Sequence, residues 1–169
     1  MNKISLFVIV INLLIILGVV NYLSLEKQSV IKQGKTVFLE LAPVDPRSLM
    51  QGDYMILRQQ LSSSIPNKTN RTKDIPTRGR AVLKLDERNI GTFARFDSDE
   101  ALKENDVLIK YRHSNRGYLF GLESFFFEEG MAKVYENAKY CEVKIDDQGH
   151  AVLINLRGEE LAELVKQTD

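Results

Sequence analysis

Carboxylates and one arginine are the residues in this sequence best placed to do chemistry. Asp45, Arg47 and Asp53 stand close together in the stretch Leu41-Ala42-Pro43-Val44-Asp45-Pro46-Arg47-Ser48-Leu49-Met50-Gln51-Gly52-Asp53-Tyr54-Met55-Ile56-Leu57. The Arg47 fork would pair with Asp45 or Asp53, or offer two parallel hydrogen bonds to an outside carboxylate or phosphate. These three charges either line a cleft or tie the turn between two strands, and the second role needs no ligand. Glu123, Glu128 and Glu129 form a second acidic group. Paired with Asp53, one of them would act as a general acid or base, or hold a hard cation. Glu123 falls on the same predicted strand face as Phe125 and Phe127, in apolar surroundings. The spacing fixes no ligand geometry, so solvated acids are the plainer account.

Other chemistries have less to stand on. His113 and His150 are the only histidines. Both fall at predicted turns, with no second His or Cys at ligand spacing, so no metal site is expected. The same scarcity argues against Ser-His-Asp and Cys-His designs, which need a positioned base. The single cysteine, Cys141, alternates inward with Val143 and Ile145 and reads as a small core residue. No disulfide partner is expected for it. There is no phosphate loop or dinucleotide glycine pattern, and no cofactor is expected. Asn67-Lys68-Thr69 and Asn70-Arg71-Thr72 match glycosylation sequons, a pattern short enough to arise by chance. Lys plus Arg and Asp plus Glu each number 23 in 169 residues. That balance gives no support to a nucleic-acid footprint.

The elements that must position these residues begin with an anchor. From Ile4 to Leu25 there are 22 residues without a charge. As a helix they reach roughly 33 Å, slightly more than the hydrocarbon thickness of a bilayer. Tyr22 sits where an interfacial aromatic belongs. A cleaved signal peptide would have a shorter apolar core and a small-x-small site, which Asn21-Tyr22-Leu23-Ser24-Leu25 does not offer. Residues 1–25 are therefore read as an uncleaved transmembrane anchor in the lipid bilayer and 26–34 as a polar stalk. Residues 35–169 form a β-rich domain. The flanking charges, Lys3 against Lys27, Lys32 and Lys35 tempered by Glu26 and Glu40, do not decide orientation. The short stub before an apolar run looks like a signal anchor, which puts the soluble domain outside the cytoplasm.

After Gly34 the hydrophobic period changes from 3.6 to 2. Val37, Leu39 and Leu41 mark one strand; Met55, Leu57 and Leu61 mark the next. Residues 62–78 read as a mobile loop. Three hairpins follow. Ala81, Leu83 and Leu85 lead through 86–89 to a strand at 90–96. Val107, Ile109 and Tyr111 lead through 114–117 to Tyr118, Phe120 and Leu122. Cys141, Val143 and Ile145 lead through 146–149 to Val152, Ile154 and Leu156. Glu128 to Asn137 predicts a short helix, and 158–167 places Leu161, Leu164 and Val165 on one helical face. The fold class is mainly β, or α+β. It is expected to be a small antiparallel barrel or sandwich of about eight strands with short helices, preceded by one transmembrane helix. Phe125, Phe126 and Phe127 cannot all face one side of a strand. At least one points away, either exposed at a partner surface or covered by 128–137.

Within the long stretch quoted first, Pro43 ends a strand by removing a donor. Pro46 holds Asp45 out of the helical region, and Gly52 permits positive φ or close approach where the next strand begins. This stretch resembles the GDYXXLXY family of membrane-anchored bacterial proteins. The named motif is Gly52, Asp53, Tyr54 and Leu57; its final tyrosine is replaced by Gln59. Phe125 to Gly130, followed by Tyr135-Glu136, is similar to the family's aromatic-x-x-Glu-Gly segment. The resemblance implies a single-span anchored domain of the cytoplasmic (inner) membrane with no assigned activity. It also implies a multi-span membrane protein as partner. The expected function is a non-enzymatic accessory or binding component of a membrane complex. Its recognised surface would be Asp45, Pro46, Arg47, Gly52, Asp53, Tyr54, Leu57, Arg58, Glu123, Glu129 and Gly130. One alternative is a hydrolase using Asp53 with Glu123 or Glu129. Another is a degenerate relative of signal-peptidase-like barrels, which have a similar Gly-Asp before an apolar strand. Here no serine occupies the equivalent place before Pro46, and Ser48 is the one nearby hydroxyl.

Overall fold

The computed structural model describes residues 3–42, 54–65, 76–98, 100–114 and 117–165. It opens with α1 (Lys3–Gln33), a single helix of 31 residues that is long and apolar enough to cross a membrane. Two polar side chains of its apolar run turn back on the helix itself. Asn21 Nδ2 donates to the Leu17 carbonyl at 3.0 Å and Ser24 Oγ to the Val20 carbonyl at 2.8 Å. Both groups are thereby satisfied without a partner outside the helix. The predicted stalk continues the helix without a break. Val30 is 3% exposed because this last turn packs on the first sheet.

Gly34 is the whole connection between helix and domain. Its amide donates to the Val30 carbonyl at 2.8 Å. A Cβ there would run into that oxygen and come within 3.1 Å of the Ile145 backbone. Strand β1 (Lys35–Glu40) starts at the next residue.

The remaining strands are β2 (Tyr54–Ile56), β3 (Arg78–Leu85), β4 (Gly91–Phe96), β5 (Asp106–Ser114), β6 (Gly117–Leu119), β7 (Ser124–Phe126), β8 (Tyr140–Ile145) and β9 (Ala151–Arg157). They form a three-stranded sheet β1-β8-β9, a ribbon β2-β7 and a four-stranded sheet β4-β3-β5-β6. All the strand pairs are antiparallel, and together they make a half-barrel. The inward alternation read from the sequence is observed in β1, β3, β5 and β8; in β9 a register shift opposite Glu142/Val143 turns Leu153 toward the core and leaves Ile154, expected inward, 37% exposed. Val37, Leu39, Ala81, Leu83, Ile109, Cys141, Val143 and Leu156 are fully buried. Each buried Leu or Ile contributes about 1.5–3 kcal/mol by leaving water.

The sheets are sealed to each other by two hairpin turns built alike. In the β3–β4 turn, Asp86 Oδ1 accepts the amides of Arg88 at 2.9 Å and Ile90 at 2.8 Å, and Asn89 takes φ 60°. In the β8–β9 turn, Asp146 Oδ1 accepts those of Gln148 at 3.0 Å and His150 at 2.8 Å, and Gly149 takes φ 84°. Burial pushes the Asp146 carboxyl up, but hydrogen bonds from the His150 ring and amide outweigh it and hold it below the ordinary range. Each turn then docks on the opposite sheet. The Asn89 carbonyl accepts the Phe38 amide at 2.9 Å, and the Gly149 carbonyl accepts the Lys110 amide at 2.8 Å.

Three local expectations change. Leu61 is not in a strand: α2 (Gln60–Ser64) begins directly after Gln59, so 60–64 are helical where strand and loop were expected. Leu61 still reaches the core. His113 lies within β5 rather than in a turn, with its ring 4.7 Å from that of Tyr118. The stretch from 158 forms one tight turn, Glu159–Leu161, in place of a helix. Glu160 and Leu161 take φ 53° and 66°, and Arg157, held at 2.8 Å by Glu142, binds Glu163 at 2.8 Å and folds the chain back. The predicted helix in 128–137 is present as α3 (Ala132–Tyr135).

Gly149 has both positive φ and a neighbour 3.1 Å from its would-be Cβ, the Lys110 nitrogen. Gly149→Ala should cost about 2–4 kcal/mol, against about 1 kcal/mol for Gly121→Ala, which has φ 78° but open space around it. Urea denaturation measures both. Burial pushes the Cys141 thiol up to about 12. A maleimide at pH 8 should therefore leave the native chain unlabelled and modify it only after denaturant is added.

Candidate functional site

Strand β2 carries the described end of the motif to a partner strand far away in sequence. Tyr54 stands opposite Phe126, Met55 opposite Phe125 and Ile56 opposite Ser124. The two patches singled out in the sequence are thus one ribbon. Alternation sends Met55 into the core, 3% exposed, and Tyr54 and Ile56 to the other face. The phenylalanine triplet divides the same way. Phe125 and Phe127 pack on Tyr135 of α3, with ring centroids 5.0 and 5.6 Å away. Phe126 points outward, 75% exposed, with its ring 5.7 Å from Tyr54. The ring that points away from its neighbours is therefore exposed and not covered by 128–137; α3 packs on the other two.

Beyond Ile56 the motif is laced to the body of the domain. The Leu57 amide donates to the Glu123 carbonyl at 2.8 Å, and the Arg58 carbonyl accepts the Ala42 amide at 2.7 Å. Gln59 bridges to Leu41. Leu57 is a core residue. Arg58 is exposed. Gln59, where the family motif has tyrosine, is 1% exposed, and its Nε2 donates to the Leu122 carbonyl at 2.8 Å. A polar residue at an inward position of the Met55, Leu57, Leu61 series was the available signal, because burial of an amide demands a partner.

Glu123 closes a turn rather than sitting on a strand face. Its Oε1 accepts the amides of Phe120 at 2.6 Å and Gly121 at 3.1 Å. Glu128 and Glu129 are exposed. Gly130 takes φ 84° with open space around it, so backbone conformation alone calls for glycine there. Asp45, Pro46, Arg47, Gly52 and Asp53 lie outside the described residues. Among those described, no three His, Cys, Asp or Glu side chains are grouped to hold a metal.

Between the laced motif and the three-stranded sheet lies a cleft of about 530 Å³. Met55, Leu57 and Tyr140 give it an apolar floor; Arg58 and Lys139 face Glu40, Glu136 and Glu159 around it. An apolar floor with charges of both signs at the rim suits binding of a polypeptide segment. Of these residues the sequence pointed to Arg58 and Leu57. The glutamates come from three distant segments and had no common signal.

Gln59→Leu should lower stability by about 1–3 kcal/mol, since the Leu122 carbonyl would lose its donor inside the core. Equal urea midpoints for the variant and the native chain would remove this role.

Comparison with known proteins adds one finding. A family model described as GDYXXLXY protein matches residues 16–156. No curated protein and no solved structure matches. The match takes in most of the chain, from within α1 into β9, and includes the motif's Tyr54 and Leu57: this chain belongs to the GDYXXLXY family.

Proposed function

We propose that this protein is a membrane-anchored accessory component that binds an integral membrane partner through the outer face of its β2–β7 ribbon and the adjoining cleft. The observation that carries the reading is Phe126, 75% exposed against Tyr54 of the motif. Ile56, 41% exposed, lies on the same face. Large apolar side chains grouped on a surface mark contacts with other molecules, and aromatic residues dominate the energetics of such contacts. An anchor in the bilayer would confine the ribbon near partners of the same membrane and raise their effective concentration. A multi-span partner and a bacterial inner membrane, with the domain on the extracytoplasmic side, fit this reading. It assigns no reaction to the carboxylates; Glu123 already has a role in closing its turn.

The test is a photoreactive group at Arg58, on the cleft rim, crosslinked in intact membranes. One integral membrane protein should be captured. Phe126→Ser should cut that capture at least about tenfold, as expected for loss of a central aromatic anchor, with the melting temperature unchanged because the ring is exposed. Undiminished capture by Phe126→Ser would contradict the assigned face.

A further inference from the structure

The outer face of the four-stranded sheet carries like charges in register. Arg78 stands opposite Arg112, and Arg80 opposite Lys110; all four are exposed. Like charges directly across an antiparallel pair destabilise it, so the β3–β5 pairing gains nothing from them. Two carboxylates lie nearby. Asp97 holds Arg80 at 2.7 Å, and Glu123 is engaged by two backbone amides. The four cations line a cavity of about 570 Å³. A second cavity of about 260 Å³ shares Lys110 and Phe120 with it and adds Lys27 and Val30 of α1 and the backbone around Gly149.

Lys110 is aimed by its neighbours. Its Nζ lies 2.5 Å from His150 Nε2, and His150 Nδ1 lies 2.8 Å from Asp146 Oδ2. An ammonium only donates, so Nε2 accepts, and the ring proton sits on Nδ1 and is donated to Asp146. The pair Asp146–His150 thus fixes the lysine at the point where the two cavities meet.

The helix sets the level of the smaller cavity. Leu25 ends the uncharged run. Lys27 and Val30 follow two and five residues later, about 3 and 7.5 Å further along the axis. The headgroup layer of a bilayer is about 5–7 Å deep on each side. Gly34 and the buried Val30 lock the domain to the helix, so the cavity is held at that depth.

We propose that Lys27 and Lys110 bind the phosphate of an anionic phospholipid headgroup where α1 meets the half-barrel, in the field of Arg80 and Arg112. The proposal rests on α1 spanning a bilayer. Free phosphate offers the same oxyanion chemistry, and the experiment separates the two sources.

The full chain is purified in detergent and supplied with equal phosphatidylglycerol and phosphatidylcholine, and retained lipid is counted by native mass spectrometry. Phosphatidylglycerol should be retained in preference. Lys27→Gln with Lys110→Gln should weaken its binding roughly twenty-fivefold, about fivefold per lysine. The pair Lys103→Gln with Lys133→Gln, exposed lysines that line neither cavity, should leave it unchanged. Equal retention of the two lipids, or native-like retention by the first pair, would overturn the site. So would displacement of the lipid by millimolar inorganic phosphate at fixed ionic strength, which would assign the cations to free phosphate. Alkaline extraction of membranes checks the underlying reading. A chain that is stripped off contradicts the span and the lipid site together. A chain that stays while showing no lipid preference contradicts the site alone.

Discussion

Two backbone carbonyls at the tips of two hairpins hold the domain closed. Asn89 reaches across to the Phe38 amide on β1, and Gly149 to the Lys110 amide on β5. Without these bonds, β1 and β5 would each present unpaired backbone at those positions. Each tip is prepared in the same way, by an aspartate that binds two amides of its own turn and a residue at positive φ. The two sheets thus clamp each other reciprocally around one core, and the buried faces of β1, β3, β5 and β8 meet inside it.

The position of the candidate sites follows from that closure. β1 begins at Lys35, with Gly34 alone between it and the end of α1, and its far end is tied to the motif through Leu41–Gln59 and Ala42–Arg58. Helix, strand and motif therefore form one continuous support. A partner seated on Tyr54, Ile56 and Phe126 would meet a surface tied through β1 to the helix. The same closure brings the Gly149 turn against β5. This places His150 beside Lys110 and creates the smaller basic cavity.

Much of this was legible in the sequence, for physical reasons. The three hairpins combine a period of two in most strands with turns whose residues tolerate positive φ, and two of those turns carry an aspartate able to bind its own backbone. The apolar run is too long and too uniformly apolar for a surface helix. Other features were hidden because they arise from pairing. Arg78, Arg80, Lys110 and Arg112 look dispersed in the sequence and become a charged ladder only through the β3–β5 register. Alternation alone divides Phe126 from its neighbours; only the pairing with Tyr54 and the position of α3 show which side is open. The turn after Gly158 defeated the helical reading because the Arg157 ion pairs override a modest amphipathic pattern. At Gln59 the sequence showed only a departure from the motif's tyrosine; the fold makes its side chain the donor to the Leu122 carbonyl.

Hydrogen exchange at the Phe38 and Lys110 amides tests the reciprocal clamp most directly. Both should exchange only through global unfolding, with the same protection as the amides of Leu83 and Val143 in the centres of their sheets. Exchange of either amide at the rate of an exposed loop, with the sheet centres still protected, would show that the tips are not docked and would contradict the account.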